Sequence, residues 1–222
     1  MTEDALSTIR RHGVVPVVTV ERLETALPLA DALLEGGLPI AEITFRTSVA
    51  ADVIRLLTEE RPELLVGAGT VLSIENLRAA KESGARFGVA PGLNPDVVAE
   101  AARLVLPFVP GVATASEIER GLALGSRVLK LFPVALLGGP AFVNVLAGPF
   151  GHTGVQFVPS SGVTEETLAS YLACPMVIAV GGTWIAPKEV VAAGDWQEIQ
   201  RRARSAREIV TEARTTQTNP KR

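Results

Sequence analysis

The sequence predicts an α/β protein, a (β/α)8 TIM barrel with an extra N-terminal helix, and three observations carry that expectation. Short β-rich runs alternate with longer stretches of helical period, the pattern of a parallel sheet with crossover helices. These units recur eight times at intervals of roughly 19 to 29 residues, and a chain of 222 residues suits a compact version of a barrel that commonly takes about 250. No GxGxxG follows the first run, so the main rival, an open sheet that binds dinucleotides, lacks its signature.

The strands and helices follow in order. VVPVVTV (14–20) precedes the helical stretch ETALPLADALLEGG, and PIAEITF (39–45) precedes VAADVIRLLTEE. LLVGAG (64–69), RFGVAP (86–91) and PFVPG (107–111) lead into IENLRAAKESG, PDVVAEAARLV and ASEIERGLALG. RVLKLF (127–132) and VQFVP (155–159) lead into PAFVNVLAG and TEETLASYLA, and MVIAVG (176–181) is the last strand. The strands are rich in Val, Ile and Phe and mostly apolar on both faces, as strands covered by helices are. Gly36, Gly84, Gly125 and Gly148 close helical stretches, where a left-handed residue commonly ends a helix. Thr164 with Glu165, Glu166 and Thr167 reads as an acidic first turn. An N-terminal helix near residues 3–12 and a long amphipathic helix near 195–213 are additions to the repeat. Residues 1–213 are expected to form one barrel domain, and residues 214–222, polar and without period, a disordered tail.

Composition narrows the function classes. A hydrophobic fraction of 47% supports one sizeable core and, more weakly, burial of further surface in a homo-oligomer. The net charge of −3 gives no electrostatic footprint for nucleic acid. The N-terminus lacks the basic and apolar regions of a secretory signal, and no apolar run is long enough to span a bilayer. Cys174 is the only cysteine, which excludes an intrachain disulfide and fits a cytoplasmic setting. His12 and His152 show no ligand spacing, so no metal site is expected.

The chemistry centres on SRVLKLFPV (126–134). Lys130 interrupts a run that otherwise reads as a buried strand, in a chain with only four lysines among 21 basic residues. Strand alternation places Val128, Lys130 and Phe132 on one face, and gives Leu129 and Leu131 to the helices. An inward lysine is desolvated, which favours the neutral amine, and a neutral amine adds to ketones to form a Schiff base. The same position suits a structural lysine paired with a carboxylate, with Glu42 the available partner. Alternation also places Glu42, Thr44 and Arg46 on one face of the second strand. A carboxylate near an amine suits proton transfer, and an arginine fork suits a substrate carboxylate. Thr70, after the glycines of GAGT, offers a hydroxyl to the same task. AVGGTW (179–184) and VPSSGV (158–163) follow the eighth and seventh strands. In barrels of this type those two loops often present backbone N–H groups to phosphate.

EITFRT, VGAGTV, APGL, VPGV, LKLFP, AGPF and VGGTW, in this order between residues 13 and 196, resemble the motifs of the class I 2-keto-3-deoxy-6-phosphogluconate aldolases, also known as 4-hydroxy-2-oxoglutarate aldolases. The resemblance implies a homotrimeric barrel that needs no cofactor. It implies reversible cleavage of a 2-keto-3-deoxy acid to pyruvate and an aldehyde such as glyceraldehyde 3-phosphate. By position, Lys130 is then the Schiff-base lysine and Glu42 the proton shuttle. Arg46 and Thr70 hold the pyruvate carboxylate, and Pro91 and Phe132 shape the pyruvate pocket. Ser161, Gly162, Gly181, Gly182 and Thr183 line the phosphate end. The chain departs from the family pattern at Ser161, where glycine is frequent, and at Thr183, where serine is frequent. A serine is costly at φ > 0, so the loop is expected to take a different shape there. The rival readings are a non-catalytic barrel that binds phosphorylated metabolites and another phosphate-binding barrel enzyme. Neither requires Lys130 or Glu42.

Overall fold

The computed structural model describes residues 5–218, with side chains described through residue 215. Helix α1 (Ala5–His12) precedes β1 (Val14–Val18), and α2 (Ala26–Glu35) leads to β2 (Ile40–Thr44). Next come α3 (Ala50–Glu60), β3 (Leu65–Gly69), α4 (Ile74–Glu82), β4 (Gly88–Val89) and α5 (Pro95–Arg103). Strands β5 (Phe108–Val109) and β6 (Gly111–Val112) are followed by α6 (Ala115–Ala123), β7 (Val128–Leu131) and α7 (Gly139–Phe150). The chain finishes with β8 (Gln156–Pro159), α8 (Glu165–Leu172), β9 (Val180–Gly182), α9 (Lys188–Ala193) and α10 (Trp196–Thr218).

Local chemistry sets several helix starts. The Ser73 hydroxyl accepts from the Asn76 N–H at the start of α4, and the Asn94 side chain accepts from the Asp96 N–H ahead of Pro95 in α5. Thr114 and Glu117 cap α6 reciprocally. The Glu117 carboxylate also accepts from the Ala113 and Thr114 backbones, and these bonds hold its pKa below the usual value.

Every strand pairing is parallel. The ladders record a six-stranded sheet, β5-β4-β3-β2-β1-β9, and a three-stranded sheet, β6-β7-β8. The parallel α/β architecture is the expected one, and the ladders stop between β5 and β6 and between β8 and β9. The expected fifth strand is divided at Pro110, which has no N–H to donate. Between β8 and β9 only isolated bridges form, Phe157 with Val177 and Ser160 with Gly181, so the last strand is shorter than its apolar run. Two other expectations need correction. Helix α9 was not predicted, and α10 continues to Thr218, so residues 214–218 are helical rather than a tail. Residues 219–222 of that tail, and residues 3–4 of the expected first helix, lie outside the described residues.

Alternation divides the apolar residues into two cores. Val14, Val18, Ile43, Val66, Leu129 and Leu131 join helix residues such as Leu29, Leu33, Ile54 and Leu77 in an outer core. The opposite parity supplies an inner core of Val15, Ile40, Leu65, Phe87, Val109, Val128 and Val158, which Ala5 and Ile9 of α1 join. Each fully buried Leu, Ile or Phe contributes about 1.5–3 kcal/mol relative to exposure. Lys130 and Glu42 have the inner parity, two residues beyond Val128 and Ile40.

Candidate active site

Strand β7 carries Lys130 and β2 carries Glu42, only 6% and 3% exposed. Lys130 Nζ lies 3.6 Å from Glu42 Oε1. That distance supports strong attraction in a dry interior but exceeds hydrogen-bond length, and Glu42 Oε1 has no hydrogen-bond partner. A buried ion pair is a poor stabiliser compared with apolar residues of similar volume, because both charges lose their water. A pair placed among Val128, Val158 and Ile40 therefore adds little stability over apolar residues in its place. An amine beside a carboxylate with a free lone pair can add to a carbonyl while the carboxylate accepts and returns a proton. The Phe132 ring centroid is 5.8 Å from Lys130 Nζ, within reach of a cation–π contact.

Glu42 depends on a glycine that sequence reasoning did not single out. A Cβ at Gly69 would sit 2.2 Å from Glu42 Oε1, so the carboxylate occupies the space of a side chain. The signal was present in LVGAG: a glycine of inward parity, one strand over from an inward glutamate. Gly111, opposite Lys130 in the β6–β7 register, was also missed. A Cβ there would meet the Pro91 carbonyl at 2.2 Å, so Gly111 lets the Pro91 backbone lie against the strand beside Lys130.

Arg46 does not share the strand face assigned to it. Strand β2 ends at Thr44, and Arg46 lies in the following turn with its side chain exposed. Its Nε donates to Thr70 Oγ1 at 3.0 Å, which brings the two expected carboxylate binders together by another route. Thr44 instead meets Thr19, with their hydroxyl oxygens 2.8 Å apart. Thr70 has φ +54°, a conformation that a β-branched residue adopts only when its surroundings enforce it.

The bridge between Ser160 and Gly181 sets the two expected phosphate loops side by side. Ser161 has φ +75° and Gly162 φ +80°. The loop therefore keeps the left-handed shape that glycine would favour, which corrects the expectation of a different shape. A Cβ on Gly162 would lie 2.3 Å from that of Ala135, so the loop folds onto the segment after Lys130. Gly181 and Gly182 are buried at the end of β9, and Thr183 is exposed. Helix α9 begins only at Lys188, so Thr183 lies in the loop between β9 and that helix. Any anion there meets loop N–H groups rather than a helix terminus.

The sequence profile of the KDPG and KHG aldolases matches residues 6–202. The chain belongs to this family. It is 46% identical to the 2-dehydro-3-deoxy-phosphogluconate aldolase of Treponema pallidum over 202 residues, covering 91% of this chain and 95% of that protein. Among solved structures it is similar to the KDPG aldolase of Legionella pneumophila, captured with pyruvate as a covalent carbinolamine intermediate. That match has a TM-score of 0.87, 34% identity, and coverage of 93% of this chain and 99% of the other. It is also similar to the aldolase of Zymomonas mobilis with 3-phosphoglycerate, at TM-score 0.86 and 35% identity, covering 94% and 97% of the two chains.

Membership of the KDPG and KHG aldolase family bears on the two readings of Lys130 left open by its sequence position. The lysine does have Glu42 as its ion partner, so charge pairing alone does not separate structural from chemical use. Among the described residues no group of three or more His, Cys, Asp or Glu is placed to hold a metal ion. No helix among them is long and apolar enough to cross a membrane.

Proposed function

We propose that this chain is a class I aldolase that cleaves 2-keto-3-deoxy-6-phosphogluconate, or a related acid such as 4-hydroxy-2-oxoglutarate, to pyruvate and an aldehyde. The observation that carries the reading is the buried Lys130 amine 3.6 Å from the buried Glu42 carboxylate on the inner face of the strands. In this mechanism Lys130 Nζ passes a proton to Glu42 and adds to the substrate C2 carbonyl, and Glu42 returns that proton to the carbinolamine hydroxyl, which leaves as water to give an iminium. Glu42 takes the C4 hydroxyl proton as the C3–C4 bond breaks, and the bonding pair moves toward the iminium nitrogen, leaving an enamine and a free aldehyde. Glu42 returns the proton to C3, and hydrolysis of the resulting imine releases pyruvate and the amine.

The remaining roles are those that the family resemblance implies. Arg46 and Thr70, joined by their hydrogen bond, are assigned to the substrate carboxylate. Pro91 and Phe132 form walls beside Lys130. Ser161, Gly162, Gly181, Gly182 and Thr183 are assigned to the phosphate end. We read the two sheets as one closed (β/α)8 barrel in which β5 and β6 are a single strand interrupted at Pro110. The Ser160–Gly181 and Phe157–Val177 bridges and the Lys130 N–H bond to the Pro110 carbonyl support that closure. The barrel is one domain, extended past residue 213 by α10. A cytoplasmic setting suits its one buried free thiol, Cys174.

Borohydride reduction in the presence of pyruvate tests the function. One reduced pyruvyl group on Lys130 is the expected result, and labelling at another lysine would falsify the assignment. A chelator is expected to leave activity unchanged. The protein is expected to run as a trimer, and light scattering that reports only monomer at micromolar concentration would end that part of the reading.

Ser161 bears on the aldehyde. Its backbone already has the glycine-like φ, so what it adds is side-chain bulk near the phosphate end. Ser161→Gly is expected to raise the ratio of kcat/KM for glyceraldehyde 3-phosphate over glyceraldehyde by about tenfold, equivalent to about 1.4 kcal/mol. A fall in that ratio would make the hydroxyl a phosphate ligand.

A further inference from the structure

The loop after β9 is held from outside the barrel by residues that no step of the chemistry uses. The Trp184 ring packs under Gly182, where a Cβ would lie 2.4 Å from the ring atom Cζ3. The Trp184 carbonyl accepts a hydrogen bond from Arg202 Nη1 of α10 at 2.6 Å. Arg202 is itself fixed, since its Nε donates to Glu198 Oε1 at 2.6 Å. Glu198 also accepts two bonds from Arg201, and the two arginines hold its pKa down at about 2. The Asp195 carboxylate accepts from the Glu198 N–H, which anchors this turn of α10. Glu198, Arg202 and the Trp184 carbonyl thus form one chain of charge-assisted bonds ending three residues from Gly181.

The same face of α10 reaches the other loop. Ser205, one turn beyond Arg202, donates to the carboxylate of Glu165, the first residue of α8. Helix α8 follows directly from the Ser160–Gly162 loop. Both loops assigned to phosphate therefore take their outer support from one helix, through side chains three residues apart.

We propose that Arg202 is a positioning residue, which fixes the Gly181–Thr183 loop against the Ser160–Gly162 loop and so sets the preference for phosphorylated aldehydes. This rests on the phosphate role given to those loops above. Arg202 stands behind the loop and does not touch substrate. It acts by holding N–H groups where an anion meets them without reorganisation. Lys130 and Glu42 lie on other strands and have no bond to this network among the contacts described.

The test is aldol addition of pyruvate to glyceraldehyde 3-phosphate and to glyceraldehyde by the full chain, with Arg202→Met. Its kcat/KM for the phosphorylated aldehyde is expected to fall by about 10- to 100-fold, the scale of a small misplacement of a binding group. The value for glyceraldehyde and the exchange of pyruvate methyl protons are expected to stay unchanged. Arg202→Lys, which keeps a donor but not the fork, should recover part of the preference. Equal losses with the two aldehydes would reduce Arg202 to a general stabiliser, and no loss with either would remove its role. Should Arg202→Met fail to fold, Glu198→Gln loosens the same anchor, and an unchanged ratio in that variant overturns the proposal. Borohydride labelling of Lys130 is scored separately. A failure there strikes the aldolase reading, whereas a labelled enzyme with an unchanged preference strikes only the role of Arg202.

Discussion

Lys130→Arg is expected to lose aldol cleavage by roughly 10⁴-fold or more, the scale seen when a covalent nucleophile is removed. A guanidinium stays protonated in proteins and has no free amine to add to a ketone. The variant preserves a cation for Glu42, so the buried carboxylate keeps a charge partner and the fold should survive. Lys130→Met is the contrasting control. It removes the amine and also leaves Glu42 buried without its ion partner, a loss of about 3–5 kcal/mol for a broken buried pair. Activity assays with thermal unfolding of both variants separate the two effects. Measurable turnover by well-folded Lys130→Arg, or labelling of that variant by pyruvate and borohydride, would show that another amine performs the reaction.

Glu42→Gln is expected to slow turnover by about 10²- to 10⁴-fold, the range for loss of a general acid–base. The amide occupies the same space over Gly69 but cannot take a proton at neutral pH. Pyruvate should still form the imine with Lys130, because the amine remains. Exchange of the pyruvate methyl hydrogens with deuterium isolates the step, since it needs proton transfer at that carbon and no aldehyde. Exchange at the wild-type rate in Glu42→Gln would assign the transfer to a different group.

The two residues at the centre were legible because their signals were local. Lys130 stood out as a cation in an apolar run, and strand parity alone pointed it inward. Glu42 was legible for the same reason. Their separation of 3.6 Å was not legible, since β2 and β7 are far apart in the chain and no local rule fixes their distance. Parity failed at Arg46 because a period of two applies only while the strand continues, and β2 stops at Thr44. Helix α9 was not legible because GGTW reads as a loop, and the extended Pro187 delays the helix until Lys188. Ser161 was misjudged because a local steric cost of about 1 kcal/mol is small against the contacts that hold a loop. Arg202 carried no signal at all, since an arginine on a polar helix usually faces water. Only the close approach of α10 to the Trp184 carbonyl sets it apart.

The covalent step assigned to Lys130 has a kinetic consequence. Val128 shares the inner core with Ala5 and Ile9 on the amino-terminal side of the lysine, and Val158 lies level with it in the β7–β8 register. In the proposed mechanism the aldehyde is free once the C3–C4 bond breaks, while the pyruvyl half stays bonded to Lys130 until hydrolysis. Departure is therefore ordered, aldehyde first and pyruvate second. In the synthetic direction the same mechanism requires pyruvate to form its imine with Lys130 before an aldehyde can react.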